Sequence, residues 1–128
     1  MIHLDTCVLI DFARELALER PGPAFDAFEV IDESEILGVS VHALCELRTG
    51  AELHRRALKE GEQLDDLISG LLVCYPDDRF APMYGRLRAS ERRSGIRIAT
   101  LDLLIATAAI LDDAPLLTRN VKDFSRVP

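Results

Sequence analysis

The sequence predicts an α/β fold: a short parallel sheet of four to five strands flanked by helices. Three observations carry this. Short apolar or β-branched runs of strand length alternate with longer stretches of helical periodicity. Such alternation gives parallel strands joined by right-handed crossovers. The 128-residue chain has no repeat, linker or low-complexity tract, so it reads as one domain over residues 1–128.

The elements follow in order. Met1 to Leu4 is apolar and short, a buried strand. Thr6 to Leu18 carries Val8, Leu9, Phe12 and Leu16 at helical spacing, and Pro21-Gly22-Pro23 breaks it. Ala24 to Asp32 is a short amphipathic segment. Ile36 to Val41 is a second strand, and a helix from His42 to Thr49 carries Glu46 about one turn in. Gly50 is placed to interrupt that helix before Ala51 to Lys59, and Gly61 to stop the continuation. Leu64, Leu67 and Ile68 mark another short helix. Leu71 to Tyr75 is the third strand, closed by Pro76. Asp77 to Ser94 is helical, with Asp77 or Asp78 as N-cap and Gly95 as stop. Ile96 to Thr100 is a linker or very short strand. Leu101 to Leu111 is apolar on nearly every side and therefore a buried helix. Pro115 to Thr118 is the fourth strand, and Arg119 to Pro128 a turn and tail.

Composition narrows the class. Hydrophobic residues make up 48% and charged residues 29%, which suits a water-soluble globular chain. No apolar run approaches the ~20 residues of a membrane span, so no membrane partner is expected. Asp5 and Asp11 interrupt the N-terminal region too early for a secretory signal, so a cytoplasmic location is expected. Cys7, Cys45 and Cys74 show no CxxC pair and lie in apolar stretches. They read as reduced, buried residues, and no thiolate metal site is expected from their spacing. A net charge of −7 argues against a broadly basic nucleic-acid face, yet the arginines are uneven. Arg86, Arg88, Arg92, Arg93 and Arg97 cluster, and Arg86, Arg93 and Arg97 fall on roughly one helical side. They are a candidate phosphate-contacting strip, or else a solvated face.

Four acids carry the chemistry. Asp5, Glu46, Asp102 and Asp123 are each expected where a strand gives way to a helix or turn. In an open α/β sheet the carboxyl ends of the strands face one crevice, where ligands bind. Carboxylates gathered there repel unless a cation intervenes, and oxygen-only donors select Mg²⁺ or Mn²⁺. Each acid also has a plainer role open to it. Asp5 and Asp102 fit helix N-caps, and Asp123 fits a turn. Glu46 fits a salt bridge with Arg48 or Arg119, since its neighbours Ala43, Leu44, Cys45 and Leu47 are apolar. Four such roles converging on one sheet edge would be a coincidence. Thr118 and Asn120 add short polar groups directly after the last strand. His3, His42 and His54 lack partners at ligand spacing and read as structural. There is no Gly-x-Ser-x-Gly and no Gly-rich phosphate loop.

These residues resemble a known family. Leu4-Asp5-Thr6-Cys7-Val8-Leu9-Ile10-Asp11 is similar to the opening of a PIN-domain nuclease. Cys45-Glu46-Leu47-Arg48-Thr49-Gly50-Ala51 resembles its second motif, and Asp102-Leu103-Leu104-Ile105-Ala106-Thr107-Ala108 its third. Leu117-Thr118-Arg119-Asn120-Val121-Lys122-Asp123-Phe124 resembles its fourth. Size and wording are most similar to the VapC-type toxins of toxin–antitoxin pairs. The resemblance implies a single PIN-like domain and a Mg²⁺- or Mn²⁺-dependent endoribonuclease. It also implies a homodimer, held inactive by a cognate antitoxin protein. Its metal-binding acids map onto Asp5, Glu46, Asp102 and Asp123, and its supporting residues onto Thr6, Thr118 and Asn120. Cys7 departs from the Asn or Ser often found there. Two alternatives stand beside this reading. A receiver-like phosphoacceptor would need a lysine where Arg119 and Asn120 stand. A catalytically silent PIN-like module would bind RNA or protein without cleaving.

Overall fold

The structure, a computed structural model, describes residues 1–128. The strands are β1 (Ile2–Leu4), β2 (Leu37–Ser40), β3 (Leu72–Cys74) and β4 (Leu116–Leu117). The helices are α1 (Thr6–Leu18), α2 (Pro23–Glu29), α3 (Val41–Leu53), α4 (Ala57–Ile68), α5 (Phe80–Ser94), α6 (Thr100–Leu111) and α7 (Val121–Phe124). All pairings are parallel, in the order β3-β2-β1-β4, with His3 level with both Gly38 and Leu116. This is the expected α/β layering. No helix is long and apolar enough to cross a membrane.

The order fixes where a ligand can sit. From β1 the chain runs outward through β2 to β3, then returns to place β4 on the opposite side of β1. The direction of winding reverses between β1 and β4, and a crevice opens at such a switch point. The ladder continues past the strand ends there, since the Asp5 N–H donates to the Leu117 carbonyl at 3.0 Å.

The core lies between the sheet and its helices. Leu4, Leu9, Val39, Ala43, Leu47, Leu64 and Ile105 form the main cluster. Leu87, Ile98 and Leu103 form a second one between α5 and α6. Helix α6 is buried on most sides, through Leu103, Ile105, Ala106, Thr107, Ala108 and Ala109. A buried leucine or isoleucine contributes about 1.5–3 kcal/mol, so these clusters fix the register of α6 and with it Asp102.

Four expectations about elements are corrected. Helix α3 runs through Gly50 to Leu53, and α4 runs through Gly61. A mid-helix glycine costs about 1 kcal/mol. Packing of Leu47 against Leu64, supported by Ala51, Leu67 and Ile68, outweighs that. Neither Asp77 nor Asp78 caps α5, which begins at Phe80. Asp77 instead accepts from the Arg79 N–H at 2.9 Å in a turn before the helix. Of the two readings offered for residues 96–99, the linker holds, and no strand forms. The buried Glu91 carboxylate accepts from the Ile98 N–H at 2.6 Å, and Arg88 donates to the Ile98 carbonyl at 2.9 Å. Side chains thus satisfy the backbone that a ladder would otherwise serve. The tail after Arg119 contains the short helix α7, which was expected as turn alone. The cysteines are corrected too: Cys45 is exposed, and Cys7 and Cys74 are half-buried.

Candidate metal centre

Asp5 leaves β1 and is the N-cap of α1, with its backbone extended at ψ 156°. Its Oδ1 accepts from the Thr6 N–H at 2.8 Å, so the capping role is real. Its Oδ2 accepts from the Thr118 hydroxyl at 2.7 Å and from the Cys7 thiol at 3.3 Å. Capping and site-building coexist, because each carboxylate oxygen has more than one acceptor direction. Thr118 in turn accepts from the Asn120 N–H at 2.9 Å, which folds the chain after β4 over Asp5. The Asn120 amide donates to Asp123 Oδ2 at 2.9 Å, orienting that acid from the first turn of α7. The side chains of Thr118 and Asn120 thus both donate to acids.

Glu46 and Asp102 reach the same place from helices. Glu46 stands six residues beyond the end of β2, on α3. It is exposed, where burial was expected from its neighbours. Of its two suggested partners, Arg48 pairs with Asp65 and Arg119 with Asp11. Asp102 sits in the first turn of α6 and follows an irregular segment, not a strand. Of the four acids, Asp5 alone directly follows a strand.

The other three acids nonetheless act on Asp102. The Asp102 carboxyl is raised above the ordinary Asp range, first by burial and then by the charges of Asp5, Asp123 and Glu46. A cavity of about 380 Å³ opens over Asp5, Thr6, Glu46, Asp102 and Asn120. No basic side chain forms a salt bridge with Asp5, Glu46 or Asp102, and Asp123 meets only Arg126 at 3.8 Å. The Thr6 hydroxyl oxygen, on the same wall, is buried and has no partner. Oxygen donors on four acids, three of them in no ion pair, and an orphaned hydroxyl fit a hard divalent cation.

The match to known proteins agrees with this geometry. The PIN domain family model matches residues 2–128. The chain belongs to the PIN domain family. Ribonuclease VapC of Rickettsia bellii is 30% identical over 124 residues, covering 94% of this chain and 90% of that protein. Ribonuclease VapC2 of Rickettsia felis is 29% identical over 110 residues, covering 86% and 82%. The crystal structure of VapBC2 from Rickettsia felis, bound to a DNA fragment from their promoter, superposes with a TM-score of 0.89. It is 28% identical and covers 100% of this chain and 94% of that one.

This PIN domain places the candidate arginines apart from the acids. Arg86 and Arg93 are exposed on α5, and Arg97 lies beyond the helix end set by Gly95 at φ 73°. The single helical strip of Arg86, Arg93 and Arg97 is therefore broken, and none of them lines the acidic cavity. Arg14 and Arg119 do line it. Arg119 is held there by Asp11 at 3.0 Å. The sequence suggested Arg119 only as a partner for Glu46 and gave Arg14 no role, although Asp11 and Arg14 sit one turn apart after Cys7 on the helix that Asp5 begins.

Proposed function

We propose that this chain is a VapC-type endoribonuclease toxin that hydrolyses RNA phosphodiester bonds with a bound Mg²⁺ or Mn²⁺. The observation that carries this reading is the gathering of Asp5, Glu46 and Asp102 on the wall of one open crevice, none of them in an ion pair, with Asp123 held beside it by Asn120. Asp5, Asp102, Glu46 and Asp123 are the residues that would hold the metal. The chemistry a divalent ion supplies in such a site is neutralisation of phosphate charge and acidification of a water molecule.

The chain's own groups do the rest. Thr118 and the Thr6 N–H fix both oxygens of Asp5, so its free acceptor directions stay aimed into the crevice. Asn120 orients Asp123 by donating to its Oδ2. Arg14 and Arg119 bring positive charge to the wall of an acidic cavity, which suits the flanking phosphates of a single strand. Arg86, Arg93 and Arg97 are proposed as more distant contacts along the RNA. A cognate antitoxin, a homodimer and a cytoplasmic location belong to the same reading.

The test is cleavage of a mixed RNA pool by purified protein in Mn²⁺, Mg²⁺ or chelator. Cleavage in either metal that disappears in Asp5→Asn supports the reading. RNA binding without cleavage in any metal would leave the silent-module alternative.

A further inference from the structure

A second set of ligating atoms, of different chemistry, lies outside the acid cluster. A ring nitrogen of His3, Cys74 Sγ and a carboxylate oxygen of Asp112 all lie within 4.8 Å of one another. They come from β1, β3 and the C-cap of α6, so no sequence spacing joins them. Sequence reading set aside both the histidine and the thiols for lack of such spacing, and the sheet supplies the proximity instead.

Strand β2 stands between β1 and β3, and its residue level with His3 is Gly38. A Cβ at Gly38 would meet Cys74 Sγ at 3.2 Å. The missing side chain leaves the room that the sulfur occupies over β2. His3 is 1% exposed, and its Nε2 lies 2.7 Å from Asp112 Oδ2. A small cavity of about 30 Å³ adjoins this group and is lined by Cys74, Asp112 and His42. His42 Nε2 is buried there without a partner, and its ring packs against Phe80 at 5.0 Å. That volume holds a water molecule.

We propose that His3, Cys74 and Asp112 form a second cation site, which takes Zn²⁺ or a similar borderline divalent ion. Imidazole, thiolate and carboxylate together are the donors such an ion selects, and hard Mg²⁺ avoids sulfur. Tetrahedral bond lengths put neighbouring N and O donors roughly 3.3 Å apart. His3 and Asp112 therefore separate slightly on binding. Asp112 can yield, because it is an exposed residue at a helix end, and His3 cannot. The adjoining space takes a water as fourth ligand, within reach of the orphaned nitrogen of His42. The ion would tie together β1, β3 and the end of α6.

The experiment is Co²⁺ titration of the full-length, metal-stripped protein. Thiolate ligation produces sulfur-to-cobalt charge-transfer absorption, which a carboxylate site lacks. Wild type is expected to develop that absorption and to lose it when Zn²⁺ is added. Cys74→Ser abolishes it, and Asp112→Asn weakens Co²⁺ binding, with far-UV circular dichroism checking the fold of each. Asp102→Asn retains the absorption, which separates this site from the acid cluster. Cys7→Ser also retains it, a needed control because Cys7 lies 3.3 Å from Asp5. Absence of the absorption in wild type, or its survival in Cys74→Ser, overturns the proposal and leaves a hydrogen-bonded cluster.

Discussion

Replacing Asp102 by Asn should change stability in opposite directions with and without metal. The Asp102 carboxyl is raised by burial and by three neighbouring acids, and no hydrogen bond within the chain contributes to the shift. A raised carboxyl favours the folded state in its protonated form. Its contribution is fully present below the ordinary Asp value and is lost as pH rises through the raised one. At neutral pH the metal-free protein therefore bears the repulsion, and asparagine, of the same shape, removes it. Like-charged groups with this much solvent access interact by about 0.2–1 kcal/mol. Unfolding entropy near 2.1 cal/mol/K per residue gives roughly 0.27 kcal/mol/K for 128 residues. The variant should then melt about 1–4 °C higher than wild type in chelator at pH 7, with the gap closing toward pH 4. With Mn²⁺ at a hundred times Kd, wild type gains about 2.7 kcal/mol, or roughly 10 °C. The variant, short of a ligand, should gain little, so the order of melting temperatures inverts. Differential scanning fluorimetry in chelator and in Mn²⁺ reads this directly. A variant less stable than wild type in chelator would refute the repulsion argument, and an equal Mn²⁺ response would refute the metal assignment.

Three further outcomes follow from other contacts. Thr6→Val should raise stability in chelator by about 1 kcal/mol, since the buried hydroxyl has no partner, and should weaken Mn²⁺ binding by calorimetry. Glu91 is held below the ordinary Glu range chiefly by the Ile98 N–H and then by Arg88. Its contribution is present above the ordinary Glu value and lost as pH falls through the depressed one, so Glu91→Gln should flatten the acid limb of a thermal stability–pH curve. An unaltered limb would show that the 96–99 segment does not depend on that charge. Replacing Arg86 and Arg93 together by Ala should lower the salt slope of single-stranded RNA binding by about 1.4, at ~0.7 per lost phosphate contact; an unchanged slope would mark them as a solvated face.

What the sequence disclosed depended on the range of the interaction responsible. The β1 and β2 strands and the apolar α6 were legible because short β-branched runs and an all-round apolar helix are local signals. Asp5 and the Thr118–Asn120 segment were legible as polar groups flanking β1 and β4. The glycines misled because their cost is local and its compensation is not. Gly50 and Gly61 lie in helices held by Leu47 on one and Leu64 on the other, a contact that no window of sequence contains. Glu46 misled for a related reason. Apolar neighbours suggested burial, yet a helix turns residue 46 to solvent while Ala43 and Leu47 face the core. The 96–99 segment stayed open between linker and strand, because what satisfies its backbone is a glutamate and an arginine on the preceding helix.

The strand order explains why a site assembled from all quarters of the chain needs so little regular structure. The sheet has strands of two to four residues, too short to position side chains by ladder alone. What they provide is a common direction: β1 and β4 are parallel neighbours, so the segments leaving them must meet at the switch point. The Asp5–Thr118 hydrogen bond closes that meeting, across 113 residues of sequence. Asp102 arrives by a different route, on a helix whose buried face leaves no freedom of rotation, with Leu103 and Ile105 0–1% exposed. Glu46 enters on a helix capped by Ser40, whose hydroxyl accepts from the Ala43 N–H at 3.2 Å at the end of β2. Each acid is therefore positioned by a neighbour that is not itself acidic. Substitutions at Thr118, Ser40 or Leu103 should disperse the cluster without removing a single carboxylate, which is why the site depends on the fold as closely as it does on its four charges.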